Sequence, residues 1–92
     1  IRCYDNNALN REYSVANGKL DGTYRRWNNE VLIQEFNYRN GELEGTQKEW
    51  FPNGQLKKLF YYVNGKFEGP QTTWNQVGQK LCEANFKEGI QN

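Results

Sequence analysis

Apolar and polar positions alternate along this chain in short stretches, each closed by a turn signal. Leu32, Phe36 and Tyr38 fall on one side of a period-two pattern, and Leu56, Phe60 and Tyr62 repeat it 24 positions later. A period of two sorts side chains onto the two faces of a β-strand, and Thr, Tyr, Trp and Phe favour strands. No segment of useful length lacks a turn signal, so helix has little support. The pattern predicts strands over Thr23–Trp27, Leu32–Tyr38, Thr46–Trp50, Leu56–Val63, Pro70–Trp74 and Lys80–Lys87, preceded by a partial strand over Leu9–Val15.

The segments between strands recur. Asn17-Gly18-Lys19-Leu20-Asp21-Gly22 returns as Asn40-Gly41-Glu42-Leu43-Glu44-Gly45 and again as Asn64-Gly65-Lys66-Phe67-Glu68-Gly69, at offsets of 23 and 24 residues. Trp27, Trp50 and Trp74 each stand ten residues after the Asn. Such self-similarity marks a repeat array. The repeats span 17–39, 40–63 and 64–87, with a partial repeat over 1–16 and a stub over 88–92, all in a single domain. In the partial repeat, Tyr4 to Ala16 aligns with Phe51 to Val63, which sets Asn6 over Asn53 and Leu9 over Leu56. Atypical end repeats are usual in such arrays.

All nine glycines fall at repeat-defined places. Asn-Gly accepts positive φ at both residues and is a strong hairpin signal, while Phe51-Pro52-Asn53-Gly54 carries Pro and Gly where a second turn wants them. Each repeat therefore reads as strand, turn, strand, turn. The expected fold is all-β: an elongated, open antiparallel meander of β-hairpin repeats, a single-layer twisted sheet with one aromatic face. That face takes Leu32, Phe36, Tyr38, Leu56, Phe60 and Tyr62 with their equivalents Leu9, Tyr13, Val15, Cys82, Ala84 and Phe86, and the three Trp residues are expected there too. The other face carries Glu12, Glu35 and Glu83 at equivalent positions, with Leu59 interrupting the column; these acids are expected to pair with Arg or Lys across strands.

Composition agrees with a thin sheet. A 92-residue chain makes one domain at most and buries a modest share of its surface. The apolar fraction is 36% and the mean hydropathy −1.06, yet 15% of residues are aromatic, more than a disordered chain carries. Net charge is +1, so nothing attracts a polyanion, and nucleic acid is not an expected partner. The basic pairs Arg25-Arg26 and Lys57-Lys58 sit among acids and read as solvated strand faces. No apolar run approaches the length of a membrane span, and no signal-peptide pattern is visible. The chain opens in mid-pattern at Ile1, as expected of a processed protein or an excised fragment.

Little of the sequence suggests catalysis. There is no His, and two Cys cannot make a Cys-rich zinc site. No Walker loop is present, and the glycine-containing hexamers do not open a helix that could cradle phosphate. Asp21, Glu44 and Glu68 form a column of one acid per repeat, which points to turn chemistry, with a weak calcium site as the other reading. No cofactor, metal site or enzymatic activity is expected. Cys3 and Cys82 lie about six strand spacings apart, nearly ~30 Å, whereas a disulfide needs Cα atoms within ~7 Å. No intramolecular bridge is expected unless the sheet closes on itself.

The hexamers and Trp50-Phe51-Pro52-Asn53-Gly54-Gln55-Leu56 resemble the MORN-repeat family, in particular its bacterial, antitoxin-labelled variant. The resemblance spans three full repeats and two partial ones. It implies an elongated sheet of hairpins with an aromatic-lined groove and a bacterial source, and leaves the compartment open between cytoplasm and cell envelope. The chain departs from the family pattern at Asn28-Asn29-Glu30, where the second turn is one residue short, at Val77-Gly78, which replaces Asn-Gly, and at Lys80, where Leu is expected.

The expected function is to hold another molecule. A protein partner would lie along the aromatic groove or add to an edge strand, in a scaffold or in an antitoxin-like or immunity-like inhibitor. Its anchors would be Trp27, Trp50, Trp74, Phe36, Phe60, Tyr38 and Tyr62. The alternatives are binding at a membrane surface, disfavoured by the near-neutral charge, and binding of cell-wall or other carbohydrate through ring stacking. The open edges leave the chain a monomer or an edge-paired dimer.

Overall fold

The computed structural model describes residues 1–5 and 8–91. Among them there is no helix, only thirteen short strands: β1 (Arg2–Asp5), β2 (Ala8–Glu12), β3 (Val15–Ala16), β4 (Lys19–Leu20), β5 (Gly22–Asn28), β6 (Val31–Arg39), β7 (Glu42–Leu43), β8 (Gly45–Trp50), β9 (Leu56–Val63), β10 (Lys66–Phe67), β11 (Gly69–Trp74), β12 (Lys80–Lys87) and β13 (Ile90–Gln91). One open antiparallel sheet follows the path β1-β2-β5-β6-β8-β9-β11-β12-β13, with β7 on β6 and β10 on β9; β3 and β4 pair with each other. The Cα trace measures 45 × 38 × 10 Å, a slab one sheet thick. The expected all-β meander is the fold. β9 and β12 have the boundaries that the alternation predicts, and the other main strands are one or two residues longer. The partial strand expected over Leu9–Val15 is divided between β2 and β3, and β1 was not anticipated. Asn6 and the side chain of Leu9, both used in the repeat alignment, lie outside the described residues.

The Asn-Gly pairs form two-residue turns. Asn17, Asn40 and Asn64 have φ of 53°, 52° and 53°, and the glycines after them 76°, 82° and 77°. Two successive left-handed residues give a turn whose twist matches that of the strands it joins. These turns stack from one repeat to the next. The N–H of Gly41 donates to the Leu20 carbonyl at 2.7 Å, Gly65 to Leu43 at 3.2 Å and Gly89 to Phe67 at 2.9 Å. The acid column joins the stack: Glu44 accepts the Asn64 N–H at 2.6 Å, and Glu68 accepts that of Glu88 at 2.8 Å. In both cases the carboxylate caps the following repeat's turn.

The second turns are built differently. Phe51 and Gln55 close one, with Gly54 donating to the Phe51 carbonyl at 2.9 Å, and Asn75 to Gln79 closes its counterpart. The side chains of Asn53 and Asn75 accept backbone N–H groups inside their own turns. The shorter first copy is a two-residue turn in which Asn29 and Glu30 have φ of 51° and 67°.

Each main hairpin carries the same bulge. The register jumps from Arg26↔Gln34 to Trp27↔Leu32, from Glu49↔Lys58 to Trp50↔Leu56, and from Thr73↔Cys82 to Trp74↔Lys80. The residue left without a partner is Ile33, Lys57 or Leu81. In the N-terminal hairpin Cys3↔Arg11 gives way to Tyr4↔Leu9, so Tyr4 stands at the Trp position and not at that of Phe51, as the alignment had it. One inserted residue shifts the alternation by one. Lys80 and Glu83, three apart, would otherwise point to opposite faces, yet their side chains meet at 3.0 Å. Likewise Lys57 lies over the Phe51 ring while Lys58 reaches Glu49 at 3.4 Å. Counted along β5, β8 and β11, Trp27, Trp50 and Trp74 alternate with Arg26, Glu49 and Thr73. They therefore lie on the face of Arg25, Lys48 and Thr72, the reverse of the face that carries Phe36, Tyr38, Phe60 and Tyr62. The sequence-based placement of the Trp residues and of Leu32 and Leu56 beside those rings is corrected by the bulge.

Glu30 occupies a left-handed conformation that costs an ordinary L-residue ~1 kcal/mol or more. Glu30→Gly should raise stability by ~0.5–1 kcal/mol, read as a higher urea midpoint with an unchanged slope; a lower midpoint would show that the turn is not strained.

Candidate binding face

The front face gathers rings beside the Asn-Gly turns. Tyr13 and Tyr24 stack with centroids 5.5 Å apart, and Tyr24 meets Tyr38 edge-on at 6.5 Å. One and two repeats on, Phe67 touches Phe60 at 5.5 Å, Tyr62 at 4.8 Å and Phe86 at 4.8 Å. Phe36 stands opposite Tyr24 in the register. Phe60 and Tyr62 belong to the repeat 40–63 and Phe67 and Phe86 to the repeat 64–87, so the cluster crosses the boundary between repeats. Offset and tilted ring pairs of this kind add stability beyond their buried area.

Of the seven candidate anchors, Phe36, Tyr38, Phe60 and Tyr62 belong to this face. Trp27, Trp50 and Trp74 lie on the reverse, at the far ends of the strands, and enter none of these ring pairs. All seven are half-buried. No apolar side chain among the described residues is fully buried. Every ring therefore keeps some area open to solvent.

The most buried side chains are polar: Gln47 at 3% exposure, Gln71 at 6% and Thr72 at 6%. Gln47 accepts the Asn37 N–H at 2.8 Å and donates to the Asn37 and Gly45 carbonyls at 3.1 and 3.2 Å. Gln71 does the same one repeat later, accepting from Tyr61 N–H at 2.8 Å and donating to the carbonyls of Tyr61, Glu68 and Gly69. Neighbouring hairpins share only two residue pairs before they diverge. In the gap, the side-chain amide takes the place of a peptide group and satisfies the backbone of the adjacent strand. Tyr24 fills this place in the first repeat, where its ring stacks on Tyr13. Sequence reasoning missed both glutamines. Their signal is the recurrence of Gln two residues after the last glycine of the hexamer, in Gly45-Thr46-Gln47 and Gly69-Pro70-Gln71.

The reverse face is a ladder of charge. Arg2 binds Glu12 at 2.8 Å, and Arg25 reaches Glu12 at 3.6 Å and Glu35 at 2.9 Å. Glu12 and Glu35 thus pair with cations across strands, as the spacing implied, whereas Glu83 pairs with Lys80 of its own strand. These are exposed pairs of small individual worth. On the front face Arg11 stands opposite Arg26. Hydrogen bonding by Tyr24 and then Cys3 pushes the Arg11 pKa up. Among the described residues no group of three or more Cys, Asp or Glu side chains could hold a metal ion. No family model, no curated protein and no solved structure matches this chain.

Two outcomes test this account. Gln71→Ala strands the N–H of Tyr61, whose carbonyl keeps the Glu68 N–H at 2.9 Å, and should cost ~2 kcal/mol in a urea titration, where an exposed Gln→Ala change would cost a few tenths. Burial raises the phenol pKa values of Tyr38 and Tyr62 above 10.0, and the neighbouring Tyr24 adds to the shift at Tyr38. A group whose folded pKa lies above its unfolded one stabilises the fold fully below the unfolded value, and this contribution fades as pH rises through the folded value. The urea midpoint should therefore fall as the pH rises above about 10, and fall less in a Tyr38→Phe, Tyr62→Phe double variant; an equal fall in both proteins would remove the phenols as its cause.

Proposed function

We propose that this protein is a non-catalytic binding module that holds a protein partner on its front face. The observation that carries this reading is a band of clustered, half-buried rings on a sheet only one layer thick. A second layer would cover such a face in a two-layer domain; here a partner takes that part. Tyr and Phe rings give large contact area for little conformational entropy, and the Tyr hydroxyls can hydrogen-bond at the rim. The absence of His from the sequence supports a role without acid–base chemistry. The near-neutral charge offers an anionic membrane few of the basic contacts, each worth ~1 kcal/mol, that surface binding draws on. The resemblance of the hexamers to MORN repeats points to the same class of scaffold-like or inhibitor-like module.

Affinity capture from the native host, with Phe60→Ala and Trp50→Ala as controls, tests the reading. The expected result is one protein captured by the unmodified chain, bound ~30-fold more weakly by folded Phe60→Ala and retained by Trp50→Ala. Loss with Trp50→Ala and retention with Phe60→Ala would move the site to the reverse face. If no protein is captured at all, the protein-partner reading falls.

A further inference from the structure

Each hairpin joins the next through the same two residue pairs. They are Arg11↔Arg26 and Glu12↔Arg25 between β2 and β5, Gln34↔Glu49 and Glu35↔Lys48 between β6 and β8, and Lys58↔Thr73 and Leu59↔Thr72 between β9 and β11. One repeat beyond Lys58 and Leu59, these two places on β12 are Cys82 and Glu83. One repeat before Arg26 and Arg25, the matching places on β1 are Cys3 and Arg2. Among the described residues β1 pairs only with β2, and the outer side of β12 is paired only at Phe86 and Lys87. Continuing the repeat from one molecule to another sets Cys82 opposite the next copy's Cys3, and Glu83 opposite its Arg2.

We propose that copies of this chain join head to tail, β12 to β1, in the register of their own repeats, and that a disulfide from Cys82 to the next copy's Cys3 locks the joint. Three features of the structure carry this. The first is distance. Directly opposed residues of an antiparallel pair have Cα atoms ~4.5–5.5 Å apart, inside the ~4.4–6.8 Å range of disulfides. Within one molecule the two cysteines stand seven strand spacings apart, ~34 Å along the sheet, and both are free. The second is direction. Cys3 pairs with Arg11 and Cys82 with Thr73, so both thiols belong to the front face, and Cys82 is exposed. The third is charge. Arg25 sits between two glutamates, Glu12 and Glu35, whereas Arg2 has Glu12 alone among the described residues. Glu83 of the preceding copy supplies the second carboxylate and extends the ladder across the joint.

The covalent bond matters because the joint is otherwise thin. Inside the chain, Gln47 and Gln71 strengthen the contact between hairpins, but Ile1, which bonds Tyr13 through its backbone, holds that place just ahead of β1. Two ladder pairs and one ion pair make a weak, transient contact. Locking it needs a two-electron oxidant, here a small-molecule disulfide. The Cys82 thiolate attacks that disulfide and releases one small thiol. The next copy's Cys3 thiolate then displaces the second, forming the protein S–S bond. Two protein thiols become one disulfide, the oxidant is reduced to two thiols, and these carry the two protons.

Non-reducing electrophoresis of the full chain after incubation with oxidised glutathione tests the proposal. The unmodified chain should give a ladder of covalent multimers. Cys3→Ser alone and Cys82→Ser alone should each stay monomeric. A mixture of the two variants should stop at a dimer in which peptide mapping finds Cys82 joined to Cys3. A dimer from either single variant, or no dimer from the mixture, overturns the head-to-tail pairing. Adding Glu83→Arg to the Cys3→Ser chain should slow dimer formation several-fold, and Arg2→Glu in the Cys82→Ser chain should restore it. Equal rates in all three mixtures would overturn the register.

Discussion

A sheet one layer thick has no interior, so hydrogen bonding between hairpins must do much of what a buried apolar core does elsewhere. Within a hairpin the ladder is long: β8 and β9 pair at six positions. Between hairpins it is two pairs long, and the strands then splay toward the Asn-Gly turns. Splayed strands would leave backbone N–H and C=O groups without partners in a half-buried place, at a cost of ~1–3 kcal/mol each. Two devices close the gap. The Gln amide fills it from within, and the stacked turns bridge it at the edge, through Gly65 to Leu43 and Gly89 to Phe67. Because both devices recur with the repeat, adjoining hairpins hold each other in one register.

The rings occupy the same splayed region as the amides. Phe67 lies in the short strand that follows the turn, where a repeat hands over to the next, and it therefore meets residues of two different hairpins. The face that can offer rings to a partner is thus also the face whose contacts tie repeats together. A partner lying across it would bridge hairpins and stiffen the array at its least paired places. Truncating a ring there removes a contact between repeats as well as an anchor, which is why the reverse-face Trp50 is the informative control.

The sequence makes the strands and turns legible because their signals are local. An Asn-Gly pair must turn, a Pro-Asn-Gly must turn, and period-two stretches between them leave little room for anything but strands. The faces are less legible because a face depends on register, and one inserted residue reverses it. Lys57 and Leu81 look like ordinary members of their strands; only the pairing of Trp50 with Leu56 and of Trp74 with Lys80 shows them to be the extra residues. The alternation carried across each bulge therefore led to the wrong side for the Trp column, while Phe36, Tyr38, Phe60 and Tyr62, all on the Asn-Gly side of the bulge, share one face as expected. Gln47 and Gln71 escaped notice for a different reason. A polar residue in a sheet with a wet face is expected on that face, and only the divergence of the strands gives it a buried task.

The same regularity that holds the array together leaves its ends matched to each other. Proteins usually protect an open strand edge with charges, which repel an approaching copy when the signs are alike. Here the charges in register are opposite, Glu83 on one edge and Arg2 on the other, and Arg2 already holds the geometry toward Glu12 that Arg25 uses between its two glutamates. Lys80 engages Glu83 from its own strand, so that carboxylate is shared and not spent. Charge on these edges therefore fails to discriminate against the one sequence that always accompanies the chain, its own copy. What limits assembly is the weakness of two ladder pairs without a glutamine between them, and the two cysteines of the molecule lie where a single bond removes that limit.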